Sequence, residues 1–207
     1  SSIYEEYKFL ENPENWYWVK KKFLSLNNKS NSLVSFGSLI PCFNQNEKNL
    51  LLLPNNKKIS IAETSLVRFT DKKDYKKMVL CSALELLNTP YLWGGKSSFG
   101  FDCSGLVQTI VNVSSSNTGN SKRLFFPRDA SKQVLSDTLI PIKDEPSVGN
   151  IIFFQSKNKV DHVGIYINNI DFIHSSGFVK LNSINTNSQY YSNELEKKVY
   201  GIYKIKL

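Results

Sequence analysis

The stretch PYLWGGKSSFGFDCSGL, residues 90–106, constrains this chain more than any other part of it. It opens as an aromatic, turn-prone segment (Tyr91, Trp93, Gly94, Gly95) and passes through a loop of small residues (Ser97, Ser98, Gly100). It then turns apolar at Leu106, Val107, Ile110 and Val111, a spacing that suits one face of a helix. Asp102 is a preferred N-cap type and Ser104 and Gly105 are small, so the helix is expected to start here, with the Cys103 thiol accessible in its first turn. At that place, N–H groups without intrahelical partners and the positive end of the helix dipole favour thiolate over thiol. The same donors suit a developing oxyanion. Cys81 differs: it sits inside an apolar run, as a packing cysteine does.

A cysteine nucleophile needs a base, and the base needs an orienting group behind it. The chain has two histidines, His162 at the start of DHVGIYI and His174 in FIHSSG. Strand alternation puts His162, Gly164 and Tyr166 on one face, and Phe172 and His174 on one face of the next strand. For the rings to meet, the turn around residues 168–170 must hold an odd number of residues. A three-residue loop with Asn169 left-handed satisfies this, whereas a two-residue Asn-Asn turn would throw the rings to opposite faces.

The 207 residues allow one large domain, or a small one with a medium one. Three cysteines (Cys42, Cys81, Cys103) are an odd number without metal-type spacing, so neither a disulfide framework nor a zinc site is expected, and no cofactor. The net charge of +8 is compatible with an anionic partner, but the lysines lie in short scattered groups and no nucleic-acid motif accompanies them. The longest apolar run, residues 50–53, is too short to cross a bilayer, and the first residues lack a secretory-signal pattern.

Along the chain, Asn12, Pro13 and Glu14 look like a helix start leading into WYWVKKKFLSL, with Trp16, Val19, Phe23 and Leu26 on one face; the same aromatics suit a strand equally well. Residues 33–66 read as a small β unit, with a polar turn around residues 44–49 and another at residues 54–56. Residues 67–73 read as a linker. Residues 74–87 predict a buried helix carrying Met78, Cys81 and Leu84 with a further apolar set at Val79, Ala83, Leu86 and Leu87. A polar loop follows at about residues 114–122, and strands are expected at residues 151–154, at 163–167, from near Phe172, and at 199–205. Helices first and antiparallel strands after predict an α+β fold.

PYLWGG, GFDCSGLV, FPRDASKQ, VGNIIFF, DHVGIYI and FIHSSG occur here in the order they have in a known family. Over about residues 74–180 the chain resembles the NlpC cell-wall cysteine peptidases. The resemblance implies a papain-like catalytic domain, helices packed on an antiparallel sheet, over residues 74–207. A small β-rich domain over residues 1–70 precedes it, and its pattern resembles part of a bacterial SH3-like domain. By position, Cys103 resembles the nucleophile, His162 the base and His174 the orienting residue. Tyr91, Asp102 and Ser104 match residues that shape the substrate site, with Asp102 and Ser104 able to receive the free amine of an N-terminal L-alanine. Asn150 stands where the family usually has Asp; Arg128 is read as a brace and Gln133 as structural.

The implied reaction is hydrolysis of a murein stem peptide between γ-D-glutamate and the diamino acid. It would be carried out by a monomer with a murein peptide or peptidoglycan as partner and no nucleic acid, either in the bacterial cytoplasm or at the cell envelope. An amidase or acyltransferase using the same residues, and a catalytically silent wall-binding protein, stand as alternatives.

Overall fold

The structure, a computed structural model, describes residues 10–26, 32–45, 48–52, 58–69, 71, 74–115 and 126–206. The chain divides into two compact units, Ser1–Lys72 and Lys73–Leu207.

In the first unit, aromatic and β-branched residues that fit a pleated surface take the chain into strands. Trp16–Val19 (β1) and Phe23–Ser25 (β2) occupy the segment whose helical reading is thereby corrected. The remaining strands are Leu33–Ser35 (β3), Leu39–Gln45 (β4), Lys48–Leu52 (β5), Lys58–Ile61 (β6) and Leu66–Arg68 (β7). The last of these takes the start of the segment expected as linker. β1 lies between β4 and β7 in a sheet of order β6-β5-β4-β1-β7, so Tyr17, Trp18 and Val19 are buried in succession rather than at helical intervals. β2 and β3 form a separate hairpin. Tyr17, Val19, Leu24, Ile40, Cys42 and Leu51 share one core, where burial pushes the Cys42 thiol up to about 12. The turn expected at residues 54–56 lies outside the described residues.

The second unit has an α+β fold, as the order of its elements predicts. The Asp74 side chain caps Tyr75–Leu86 (α1) by accepting from the Lys77 amide at 3.2 Å. Val79, Ala83 and Leu86 form its buried face. Leu84 and Cys81 are exposed, so the packing role expected for Cys81 is not what the fold gives it: it lies half a turn away from Val79 and Ala83. Cys103–Ser115 (α2) is buried along its whole length except at Asn112, not on one face only. The reason is that α1 and the sheet both pack on it, and such a helix is apolar nearly all round. It runs into the start of the segment expected as a polar loop; residues 116–125 lie outside the described residues.

The sheet is antiparallel, of order β10-β15-β11-β12-β13-β14. Lys96–Ser97 (β8) and Gly100–Phe101 (β9) form a two-stranded ribbon before α2, and Ala130–Gln133 (α3) precedes Leu139–Pro141 (β10). Ile151–Ser156 (β11), Lys159–Tyr166 (β12), Asp171–Ser176 (β13) and Phe178–Ser183 (β14) follow. A short helix, Asn193–Glu196 (α4), leads to Val199–Ile205 (β15). α2 packs on β12 and β13. Ile152 and Phe154 of β11, Tyr166 of β12 and Phe172 of β13 form a second small core.

Candidate active site

Asp102 sets up the N-terminus of α2. Its Oδ1 accepts from the Gly105 amide at 2.7 Å, and its backbone carbonyl accepts from the Leu106 amide at 3.0 Å. The first of these satisfies a donor that a helix start leaves unpaired, and the second is the first regular bond of the helix. The amides of Cys103 and Ser104 turn instead to the Cys103 sulfur, as does that of Val163. Gly105 is there because a Cβ at that position would lie 2.2 Å from the Gly95 carbonyl oxygen: the WGG loop passes directly over the first turn.

Arg128 braces this arrangement. Its Nη2 meets Asp102 Oδ2 at 2.6 Å, and its Nη1 donates to Asp102 Oδ1 at 2.9 Å and to Ser104 Oγ at 3.0 Å. Burial alone would raise the Asp102 pKa, but these bonds and the Gly105 and Gly94 amides hold the carboxyl below its ordinary value. Gln133 donates to the backbone carbonyls of Ser104 and Pro127 at 3.0 and 2.9 Å. Asn150 closes a local turn by accepting from the Ser147 amide at 2.7 Å, a role its amide oxygen fills without a charge.

The thiol itself is not accessible in the manner the sequence suggests. Cys103 is 8% exposed. Burial, then the nearby Asp102 charge, raises its pKa, and this outweighs the three amides that pull the other way. The expectation of a thiolate at rest is thus corrected: the helix start supplies donors, yet burial outweighs them and favours the neutral thiol. The thiol donates instead to the Asp161 carbonyl, with sulfur and oxygen 3.9 Å apart. A β-bulge makes that contact possible. Phe154 pairs with His162 but Gln155 pairs with Val160, so Asp161 is the extra residue and its carbonyl turns out of the ladder.

The two imidazoles meet. Ile165 pairs with Ile173 and Tyr166 with Phe172, the parity that puts His162 and His174 on one face. The loop is closed by Asn168, whose Oδ1 accepts from the amides of Ile170 and Asp171 at 2.8 and 2.6 Å. Asn169 does not take up the left-handed conformation expected of it, because the Asn168 side chain already supplies the turn. Gly164 makes room for the rings: a Cβ there would lie 2.8 Å from Phe172 Cδ2 and 3.4 Å from His174 Cβ.

His162 Nε2 and His174 Nδ1 are 2.7 Å apart, and His174 Nε2 and Asn182 Oδ1 2.9 Å. Asn182 is the residue that sequence reasoning missed. Its Nδ2 donates to the Tyr190 carbonyl at 3.0 Å, which turns its oxygen towards His174. An amide oxygen only accepts, so His174 carries its proton on Nε2 and accepts on Nδ1 from His162 Nε2–H. The acceptor left on His162 is Nδ1. Burial, followed by the charges of Lys198 and Lys180, lowers the His162 pKa to about 4. Burial and the neighbouring His162 lower that of His174 to about 3. At neutral pH the site therefore holds a neutral thiol and two neutral rings.

Cys103, His162, Tyr91, Asp102, Ser104 and Arg128 line one cavity of about 460 Å³, so five of the six sequence-chosen residues share it. His174 stands behind, 1% exposed. Burial, together with the nearby Asp102 charge, raises the Tyr91 pKa and keeps its hydroxyl a donor. Among the described residues no cluster of ligands could hold a metal.

Residues 88–199 match the model of the NlpC/P60 family. The chain belongs to the NlpC/P60 family. Over 118 residues this NlpC/P60 chain is 31% identical to a gamma-D-glutamyl-L-lysine dipeptidyl-peptidase of Bacillus subtilis (strain 168), covering 56% of this chain and 37% of that protein. Over 165 residues it is 30% identical to a protein of the same name from Bacillus cereus (strain ATCC 10987 / NRS 248), covering 74% and 46%. It spans less than half the length of these two relatives. A crystal structure of an NlpC/P60 family protein from Bacillus cereus ATCC 10987 shares its fold, with a TM-score of 0.72 at 24% identity over 95% of this chain and 65% of that one.

Proposed function

We propose that this NlpC/P60 chain is a cysteine endopeptidase that hydrolyses peptidoglycan stem peptides at the bond between γ-D-glutamate and the diamino acid. The observation that carries the reading is the cavity shared by Cys103 and His162, with His174 and Asn182 in line behind the imidazole. The names of the two Bacillus relatives supply the bond.

Because thiol and imidazole are both neutral at rest, attack is coupled to proton transfer. His162 Nδ1 takes the Cys103 proton as sulfur adds to the γ-carbonyl carbon. The oxyanion is held by amides at the start of α2 and by the Tyr91 hydroxyl. On collapse the C–N bond breaks and His162 returns the proton to the leaving amine. Water, deprotonated by the same ring, then cleaves the thioester and regenerates the thiol. Asp102 and Ser104 form the proposed subsite for the free amine of L-alanine, with Tyr91 shaping the cavity beside them. Asp102 brings to it a charge already shared with Arg128, so the subsite attracts an ammonium group less strongly than a bare carboxylate would.

Residues 74–207 are the proposed peptidase domain, and residues 1–70 a proposed accessory domain of SH3-like type. The proposed partner is a murein peptide or peptidoglycan rather than nucleic acid, taken up by a monomer. No helix among the described residues is long and apolar enough to cross a membrane.

The test is turnover of L-Ala-γ-D-Glu-diamino acid, read by mass spectrometry as release of the dipeptide. The wild-type chain should cleave it, a peptide with an acetylated N-terminus should be cleaved more slowly, and Cys103→Ala should abolish turnover while the fold survives. Cleavage persisting in Cys103→Ala would rule the reading out.

A further inference from the structure

His162 lines two cavities, and only one of them holds the thiol. The second, of about 600 Å³, brings together both imidazoles, Asn182, Lys180, Lys198 and Glu194. The two cavities share Trp93, Asp161 and His162 in their walls, so a peptide bound at the thiol can continue from the first into the second.

We propose that this second cavity binds the leaving half of the peptide through a carboxylate held by Lys180, so that the fragment released bears a free acid group close to the cut bond. The proposal rests on the endopeptidase reading above. Strand register places the lysine: Lys180 is the direct cross-strand partner of His174, and Asn182 follows two residues along on the same face. Its ammonium stands 5.3 Å from the centre of the Phe178 ring, and no carboxylate among the described residues lies within ion-pair distance of it. Lys198 differs, since Glu194 meets it at 2.6 Å. Asp161 stands on the wall that both cavities share, with Trp93 and His162.

The Lys180 charge disfavours protonation of both rings and contributes to their lowered pKa. A substrate carboxylate would give this ammonium the ion-pair partner it lacks among the described residues. The acid group can come from two sources: the side-chain carboxylate of a diaminopimelate-type residue, or the C-terminal carboxylate of a tripeptide ending at the diamino acid.

The experiment uses four peptides. L-Ala-γ-D-Glu-L-Lys is supplied with a free or an amidated C-terminus. L-Ala-γ-D-Glu-meso-diaminopimelate, its α-carboxyl amidated, is supplied with the side-chain carboxyl free or amidated. In at least one pair the acid should be preferred over the amide by about five- to ten-fold in kcat/KM, the scale of a partly screened ion pair. Which pair shows it identifies the source. Lys180→Gln should bring that ratio to near one and Lys180→Arg should restore it. No preference in either pair, or a preference that survives Lys180→Gln, overturns the proposal while cleavage itself upholds the endopeptidase reading. Failure of the wild-type chain to cleave any of the four overturns both.

Discussion

His162 Nε2 lies 2.7 Å from His174 Nδ1, and the tautomer of both rings is set from behind by Asn182. This chain of hydrogen bonds leaves Nδ1 of His162 as the acceptor for a proton, and the burial that lowers both imidazole pKa values keeps that acceptor free well into acid.

The first prediction concerns pH. The base works only when neutral, and its pKa is lowered from 6.5 to about 4. The acid limb of kcat/KM should therefore fall near pH 4 rather than near 6.5. The same shift bears on stability. Rings kept neutral by the fold contribute stability that is whole above pH 6.5 and declines as pH falls towards the folded values of about 4 and 3. Melting curves at each pH separate the two effects. An acid limb at 6.5 or above, with the protein still folded, would contradict the neutral-pair description.

Asn182 is a positioning residue. Asn182→Ala frees His174 to present an N–H to His162, which would put the proton of His162 on Nδ1 and silence the base. A loss of about ten- to a hundred-fold in kcat is expected, with KM little changed. Asn182→Asp still accepts from His174 Nε2, so the tautomer should survive and activity be largely kept, while the added negative charge moves the acid limb to higher pH. A purely structural Asn182 would leave the pH profile of the Asp variant where it was.

At Gly164 the prediction is steric. A methyl group there meets Phe172 at 2.8 Å and crowds His174, so Gly164→Ala should cost about 1–3 kcal/mol of stability and lower kcat by displacing the second ring. Thermal melts together with single-turnover rates check it. A stable, fully active variant would show that the rings are held by something else.

Trp93 is 86% exposed and lines both cavities. Little packing depends on it, so Trp93→Ala should leave the melting temperature within a degree or two while raising KM, since an exposed indole above a peptide cleft is contact surface for substrate. Unchanged KM would remove it from the binding site.

Much of the site is legible in local pattern. DCSGL announces a capped helix whatever surrounds it, and alternation in HVGIYI and FIHSS fixes which residues share a face. The parity of the intervening turn then decides whether the rings can meet, and it can be reasoned about from three residues. What escapes such reading depends on distant chain. The thiol's partners include the Asp161 carbonyl at the bulge and the Val163 amide, 58 and 60 residues on from Cys103. Asn182 escapes because β14 follows β13 through Gly177 alone, a turn too short to stand out, although the alternation in FVKLNS is a strand signal. The segment of β1 fits a helical period as well as a strand, and only its pairing with β4 and β7 settles the matter.

The most direct test of the account is the mass of the intact protein, quenched in acid within the first turnover on L-Ala-γ-D-Glu-diamino acid. An adduct of L-Ala-γ-D-Glu less one water, mapped by proteolysis to the peptide containing Cys103 and absent from Cys103→Ala, is the predicted result. Product formation with no adduct in a burst-competent time window, or with the adduct on Cys81 or Cys42, would contradict it.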